Sequence, residues 1–137
     1  MKKQKNGTII FTSSTAGLNG FPYRSPYSAS KWAIHGFMKT LAMEAGPFGI
    51  RANAIAPGCV EGARIEAVIE REAAKKNTTP DVIREAYKSG TSLQTFIDAQ
   101  DIASMALFLA SDQAVRISGQ VIAVDGHTEN PDPKIYI

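Results

Sequence analysis

Thr8-Ile9-Ile10-Phe11 is a short uninterrupted run of β-branched and aromatic residues, bounded by Gly7 before it and Ser13-Ser14 after it. A strand with one wet face alternates apolar and polar residues. A continuous run predicts a strand covered on both faces, as in a parallel sheet. Two later runs also predict strands: Ile50-Arg51-Ala52-Asn53-Ala54-Ile55-Ala56, which stops at Pro57-Gly58, and Gln120-Val121-Ile122-Ala123-Val124, which runs into Asp125-Gly126. Helical patterns separate the three, so the expected fold is α/β with a parallel sheet. Ser14 then stands at the carboxyl end of a strand, the edge at which open α/β sheets bind ligands. Pro57-Gly58 follows a second strand, in a turn where backbone can approach a ligand.

The longest helical pattern runs from about Pro26, a proline in the first turn, to Ala45, where Gly46-Pro47 stops it. Its opening residues are Tyr27-Ser28-Ala29-Ser30-Lys31. Four positions make about one turn, so the Tyr27 phenol and the Lys31 ammonium share a face. A free phenol titrates at about 10, and a fixed cation stabilises its phenolate and moves it towards acid/base work near neutral pH. Alone, such a pair is more often a solvated feature of a helix, and its neighbours must carry the chemical reading. The preceding loop, Thr15 to Pro26, holds Gly17, Gly20 and Pro22 and can bring Ser14 to Tyr27. Further along, Ile34, Phe37, Leu41 and Ala45 share one face, expected to meet the sheet. Trp32, Gly36 and Met43 lie roughly opposite and need another part of the domain or a second subunit.

Residues 62–76 and 80–88 have helical composition, interrupted by Asn77-Thr78-Thr79-Pro80. Glu66 and Glu70 offer helix-face pairs to Arg71 and Lys75, so this excursion is expected to be a solvated hairpin or a lid over a site. Asp98 to Ser111 predicts another helix, with Ile102, Met105, Ala106 and Leu109 at helical spacing and Asp98 or Asp101 as N-cap. The tail from Thr128 to Ile137, with Pro131 and Pro133, is expected to be extended.

A length of 137 residues suits one domain with a buried core. A net charge of +2 gives no reason to expect a nucleic-acid partner, and no apolar run has the length of a membrane span. The single cysteine, Cys59, excludes an internal disulfide and suits a reducing cytoplasm. His35 and His127 are far apart, expected at the surface or in caps, and no cluster has metal-ligand spacing.

Four ordered motifs resemble the short-chain dehydrogenases/reductases. They are Thr8-Ile9-Ile10-Phe11-Thr12-Ser13-Ser14 with Ala16-Gly17, then Tyr27-Ser28-Ala29-Ser30-Lys31, then Ile50-Arg51-Ala52-Asn53 with Pro57-Gly58, and finally Ser118-Gly119-Gln120 with Val124-Asp125-Gly126. The resemblance covers nearly the whole chain and corresponds to the carboxyl-terminal half of such an enzyme. It implies a partial Rossmann-like, doubly wound fold lacking the amino-terminal βαβ dinucleotide unit. It also implies an NAD- or NADP-dependent oxidoreductase that interconverts a small-molecule alcohol and carbonyl as a cytoplasmic homo-oligomer, dimer or tetramer. By the same resemblance Ser14 orients and polarises the carbonyl, and Tyr27 is the acid/base. Lys31 binds the nicotinamide ribose and lowers the tyrosine pKa, and Pro57, Gly58 and Val60 contact the nicotinamide end of the cofactor.

The departures from the pattern are specific. No glycine-rich turn for the pyrophosphate, no residue selecting NAD or NADP, and no earlier catalytic asparagine match the family. Gly62 stands where many members have threonine, and His127 where glycine is usual. The chain is therefore expected to hold the chemistry without the main cofactor grip and to be inactive alone. The alternative is a non-catalytic oligomerisation or binding module.

Overall fold

A computed structural model of the chain describes residues 1–130. Strand β1 (Gly7–Thr12) leads through a 3-10 turn to helix α1 (Ser25–Ala45) and strand β2 (Ile50–Pro57). Helices α2 (Ala63–Lys75), α3 (Pro80–Ser89) and α4 (Ala99–Ala110) follow, and strand β3 (Val121–Val124) closes the sheet. The order is β1-β2-β3, and both pairings are parallel. This is the expected parallel α/β arrangement. Of the predicted extended tail, residues 131–137 lie outside the described residues.

Register places Ile9 beside Ala52, and Phe11 beside Ala54, which in turn meets Val121. In a pleated sheet these residues share one face. They form a core with Met38 and Ala42 of α1, in which Met38, Ala52 and Ala54 are fully buried. Alanine at both β2 positions leaves no side chain to hold the helix away. Helix α4 packs across all three strands, and its start is tied by the Asp98 N–H donating to the Asp101 carboxylate at 2.9 Å. Both predicted capping residues are thus used, Asp98 as N-cap and Asp101 reaching back to it.

The core stripe of α1 differs from the expected one. His35, Met38, Ala42 and Ala45 follow the spacing of one helix face, and His35, Met38 and Ala45 are buried. Phe37 is 61% exposed, its ring edge-on to Phe11 at 5.7 Å. One residue of offset is about 100° of rotation, and the imidazole is what moves the stripe. His35, expected at the surface, is only 7% exposed and sits where a Cβ on Gly17 would come within 2.8 Å of its Cε1. Trp32 and Met43 are exposed, as the second face requires.

Asn53 is completely buried in the middle of β2. Its Nδ2 donates to the Ile117 carbonyl at 2.9 Å, and its Oδ1 accepts from the Gln120 N–H at 3.1 Å. A buried amide satisfied at both ends locks the approach to β3 against β2.

The charged excursion is more than a solvated hairpin. Ile69 and Ala73 of α2 pack with Ile83 and Tyr87 of α3 and with Phe96, against Cys59 and Ile65, as a second small core. Glu66 does not use Arg71. It pairs with Arg84 across the hairpin, Arg84 also reaches Glu61 at 3.2 Å, and Arg71 Nε donates to the Ala67 carbonyl. Distance in space outweighs helix spacing once two helices pack together.

Candidate active site

The carboxyl ends of β1 and β2 open into a cavity of about 730 Å³, walled on the far side by Glu61, Gly62, Arg64, Ile65 and Val68 and by Tyr87 of α3. Ser14, Tyr27, Lys31, Pro57, Gly58 and Val60 all line it. The chain reaches this arrangement because the turn after β1 is short and tightly packed. The Ser14 hydroxyl accepts the Ala16 N–H at 3.2 Å, and the buried Ser13 hydroxyl donates to the Lys31 carbonyl at 3.4 Å. Gly17 permits the close approach, since a Cβ there would also meet Ser13 Oγ at 2.9 Å and the Lys31 backbone carbon at 3.1 Å. The first turn of α1 is thereby held over the end of β1.

Lys31 Nζ donates to the Thr12 carbonyl at 3.3 Å and stands 5.6 Å from the centroid of the Tyr27 ring. Partial burial pushes the Tyr27 phenol up. Hydrogen bonding from Ser14 and Arg64 and the charges of Lys31 and Arg64 pull it down, and together they outweigh burial, so the pKa lies below the ordinary 10.0. The second phenol in the cavity behaves in the opposite way. Burial drives the Tyr87 pKa well above 10.0, and the Glu72 carboxylate, which accepts its O–H at 2.8 Å, drives it further. The Cys59 thiol is pushed up to about 11, chiefly by burial. Of the cavity's neutral acids, only Tyr27 is biased towards its anion.

Gly58 has a structural duty of its own. Its N–H donates to the Val124 carbonyl at 3.0 Å, and a Cβ on it would lie 2.9 Å from Cα and Cβ of Asp125. Gly62 has φ 139° and open space where a Cβ would be, so the position suits glycine by backbone conformation. His127 adopts φ 62° in the left-handed region.

Arg64 and Arg24 also line the cavity, and no sequence motif marks either. Arg64 stands in the first turn of a helix with many charges, where a single arginine looks like surface. Only the folding of α2 over the ends of the strands brings it to Tyr27.

The donor set suits the nicotinamide-ribose end of a dinucleotide: an ammonium for sugar hydroxyls, and backbone of the Pro57–Val60 turn for a carboxamide. For the pyrophosphate the sequence contains no G-x-G-x-x-G turn. Among the described residues no group of three or more His, Cys, Asp or Glu side chains could hold a metal ion, and no helix is long and apolar enough to cross a membrane.

The enoyl-(acyl carrier protein) reductase family profile matches residues 1–127. The chain is 38% identical over 127 residues to the D-beta-hydroxybutyrate dehydrogenase of Rhizobium meliloti (strain 1021), a match covering 92% of the chain and 49% of that enzyme. Among solved structures, NAD+-bound xylitol dehydrogenase superposes with a TM-score of 0.85 at 29% identity, over 92% of this chain and 50% of that one. An actinorhodin polyketide ketoreductase with NADPH superposes with a TM-score of 0.87 at 27% identity, over 93% of this chain and 49% of that one. The chain spans about half the length of the relatives it matches.

Proposed function

Because the chain belongs to the short-chain dehydrogenase/reductase family and adopts a partial Rossmann fold, we propose that it carries the catalytic portion of an NAD- or NADP-dependent oxidoreductase interconverting an alcohol and a carbonyl. One observation carries this reading: a tyrosine biased towards phenolate, with a serine hydroxyl and a lysine ammonium beside it, in a cavity at the carboxyl ends of parallel strands.

In the reducing direction, a nicotinamide held in this cavity would supply hydride for the carbonyl carbon. Negative charge then grows on the carbonyl oxygen, where the Ser14 and Tyr27 hydroxyls donate to it. Tyr27 gives up its proton to that oxygen and becomes phenolate, which the Ser14 hydroxyl and the Lys31 charge stabilise. Oxidation runs the same transfers backwards, with the Tyr27 phenolate taking the alcohol proton. Lys31, Pro57, Gly58 and Val60 would hold the nicotinamide and its ribose.

The chain corresponds in this reading to the carboxyl-terminal part of one Rossmann-like domain. The missing grip on the pyrophosphate leads us to expect little turnover from these 137 residues alone. A homo-oligomer would use the exposed α1 face carrying Trp32, which is 52% exposed, and Met43. A cytoplasmic setting agrees with the unpaired Cys59.

The test is Tyr27→Phe in an enzyme that joins these residues to a dinucleotide-binding βαβ unit. Carbonyl reduction should fall by about 10²–10⁴-fold, the range of lost acid/base catalysis, while NADH or NADPH binding persists. Near-normal turnover would sink the acid/base role. Tight NADH binding to the 137-residue chain, followed by nicotinamide fluorescence, would contradict the incomplete cofactor site.

A further inference from the structure

The charges around the cavity do not balance. Three cations line it, Arg24, Lys31 and Arg64, against one carboxylate, Glu61. Glu61 is already engaged by Arg84, which is held in turn by Glu66. Lys31 is held by the Thr12 carbonyl. Among the described residues, neither Arg24 nor Arg64 has an ion-pair partner. Arg24 is partly buried and stacks over the Phe21 ring at 4.8 Å, its charge felt by Cys59 and Tyr87 on the hairpin side. Arg64 reaches the Tyr27 phenol. One unpaired guanidinium therefore stands at the reacting end and another along the wall.

A planar guanidinium matches carboxylate and phosphate oxygens with paired N–H donors and is less strongly hydrated than an ammonium. Two of them in a concave, partly apolar site concentrate positive potential where a ligand displaces water. Ile65, Val68 and Ile102 give the wall an apolar stretch that suits a short carbon chain. A neutral ketone would itself bring no counter-charge to either guanidinium.

We propose that the substrate is an organic anion, a carbonyl or alcohol compound bearing a carboxylate or phosphate, and that Arg24 and Arg64 bind its anionic group. The orientation, with the carbonyl at Tyr27 and the anion towards the arginines, rests on the catalytic reading above. The charge preference stands on the cavity alone and is measured by binding, without turnover.

The experiment is saturation-transfer NMR on the folded chain with three probes of similar size: 4-oxopentanoate, its methyl ester, and dihydroxyacetone phosphate. Charge-assisted hydrogen bonds predict that an anionic probe binds about ten- to a hundredfold more tightly than the neutral ester. The stronger of the two anions identifies carboxylate or phosphate. Arg64→Gln and Arg24→Gln should each remove most of that preference, with Arg71→Gln on the same helix as the unaffected control. Circular dichroism checks each fold, and Arg24→Lys retains charge if Arg24→Gln fails to fold. Equal binding of acid and ester overturns the proposal. So does anion binding unchanged in Arg24→Gln and Arg64→Gln. Failure of Tyr27→Phe to abolish turnover would instead remove the catalytic reading and leave the charge preference standing.

Discussion

Tyr27 and Tyr87 line the same cavity, and their phenols are driven in opposite directions, Tyr27 down by a serine and two cations and Tyr87 up by burial and Glu72. Burial, hydrogen bonding and charge together decide which phenol is biased towards its anion. A spectrophotometric phenolate titration should show a step below 10.0 that Tyr27→Phe deletes and Tyr87→Phe leaves in place. Arg64→Gln should move that step upward, since a hydrogen bond and a charge that favour phenolate are gone.

Tyr87 also sets an alkaline limit on stability. Its folded pKa is raised, so its contribution is fully present below the unfolded value and is lost as pH rises through the folded one, from about pH 10 upward. Tyr87→Phe should cost about 1 kcal/mol at neutral pH for the lost Glu72 hydrogen bond. Urea melts at pH 8 and above pH 10 should show the difference between variant and parent shrinking at the higher pH.

Gly17→Ala tests the seat of α1. The added methyl would meet His35, Ser13 and the Lys31 backbone inside 3.2 Å. Overpacking of this kind costs about 1–3 kcal/mol and should displace the first turn of the helix. Denaturant melting reads the loss, and the low Tyr27 titration step should shift towards 10.0 in the same variant.

Asn53→Ala should be among the most damaging single changes to the sheet. It takes the partner from the Gln120 N–H and one of two partners from the Ile117 carbonyl, which keeps Arg51 Nη1 at 3.4 Å, and the loss should be about 1–3 kcal/mol in all. The expected result is a large drop in the urea midpoint with amide exchange accelerated around 117–121, and an unchanged midpoint would show that water replaces the amide.

His127→Gly should stabilise the protein. The left-handed conformation at φ 62° costs an L-residue roughly 1–2 kcal/mol, partly offset by the extra chain entropy of glycine. A modest rise in melting temperature is expected. A fall would mean that the exposed contact of His127 with Ser92 contributes more than the backbone strain removes.

Cys59 should be a slow nucleophile. With its thiol near 11 against an ordinary 9.0, the thiolate fraction at pH 8 is about a hundredfold lower than that of a free thiol. Iodoacetamide labelling of the native chain should lag that of the urea-unfolded chain by at least that factor.

Local pattern carried much of this protein. Continuous apolar runs marked β1 and β3, Pro26 and Gly46 bracketed α1, and one helical turn put Tyr27 and Lys31 on a common face. All of these are short-range consequences of side-chain shape and backbone period. What the pattern missed came from packing between distant segments. A polar imidazole reads as a surface or capping residue, yet the bare backbone of Gly17 makes room for His35 in the core. Helix spacing offers Glu66 a partner on its own helix, yet Arg84 from the next one takes it. Arg64 looked like one charge among many until α2 folded over the strand ends and set it against Tyr27. The sequence by itself determined the parallel sheet, the helices and the common face of Tyr27 and Lys31, because neighbours along the chain define them. Only the tertiary structure decided which phenol is lowered, which charges face the cavity and which go unpaired, because those depend on groups tens of residues apart sharing one partly buried space.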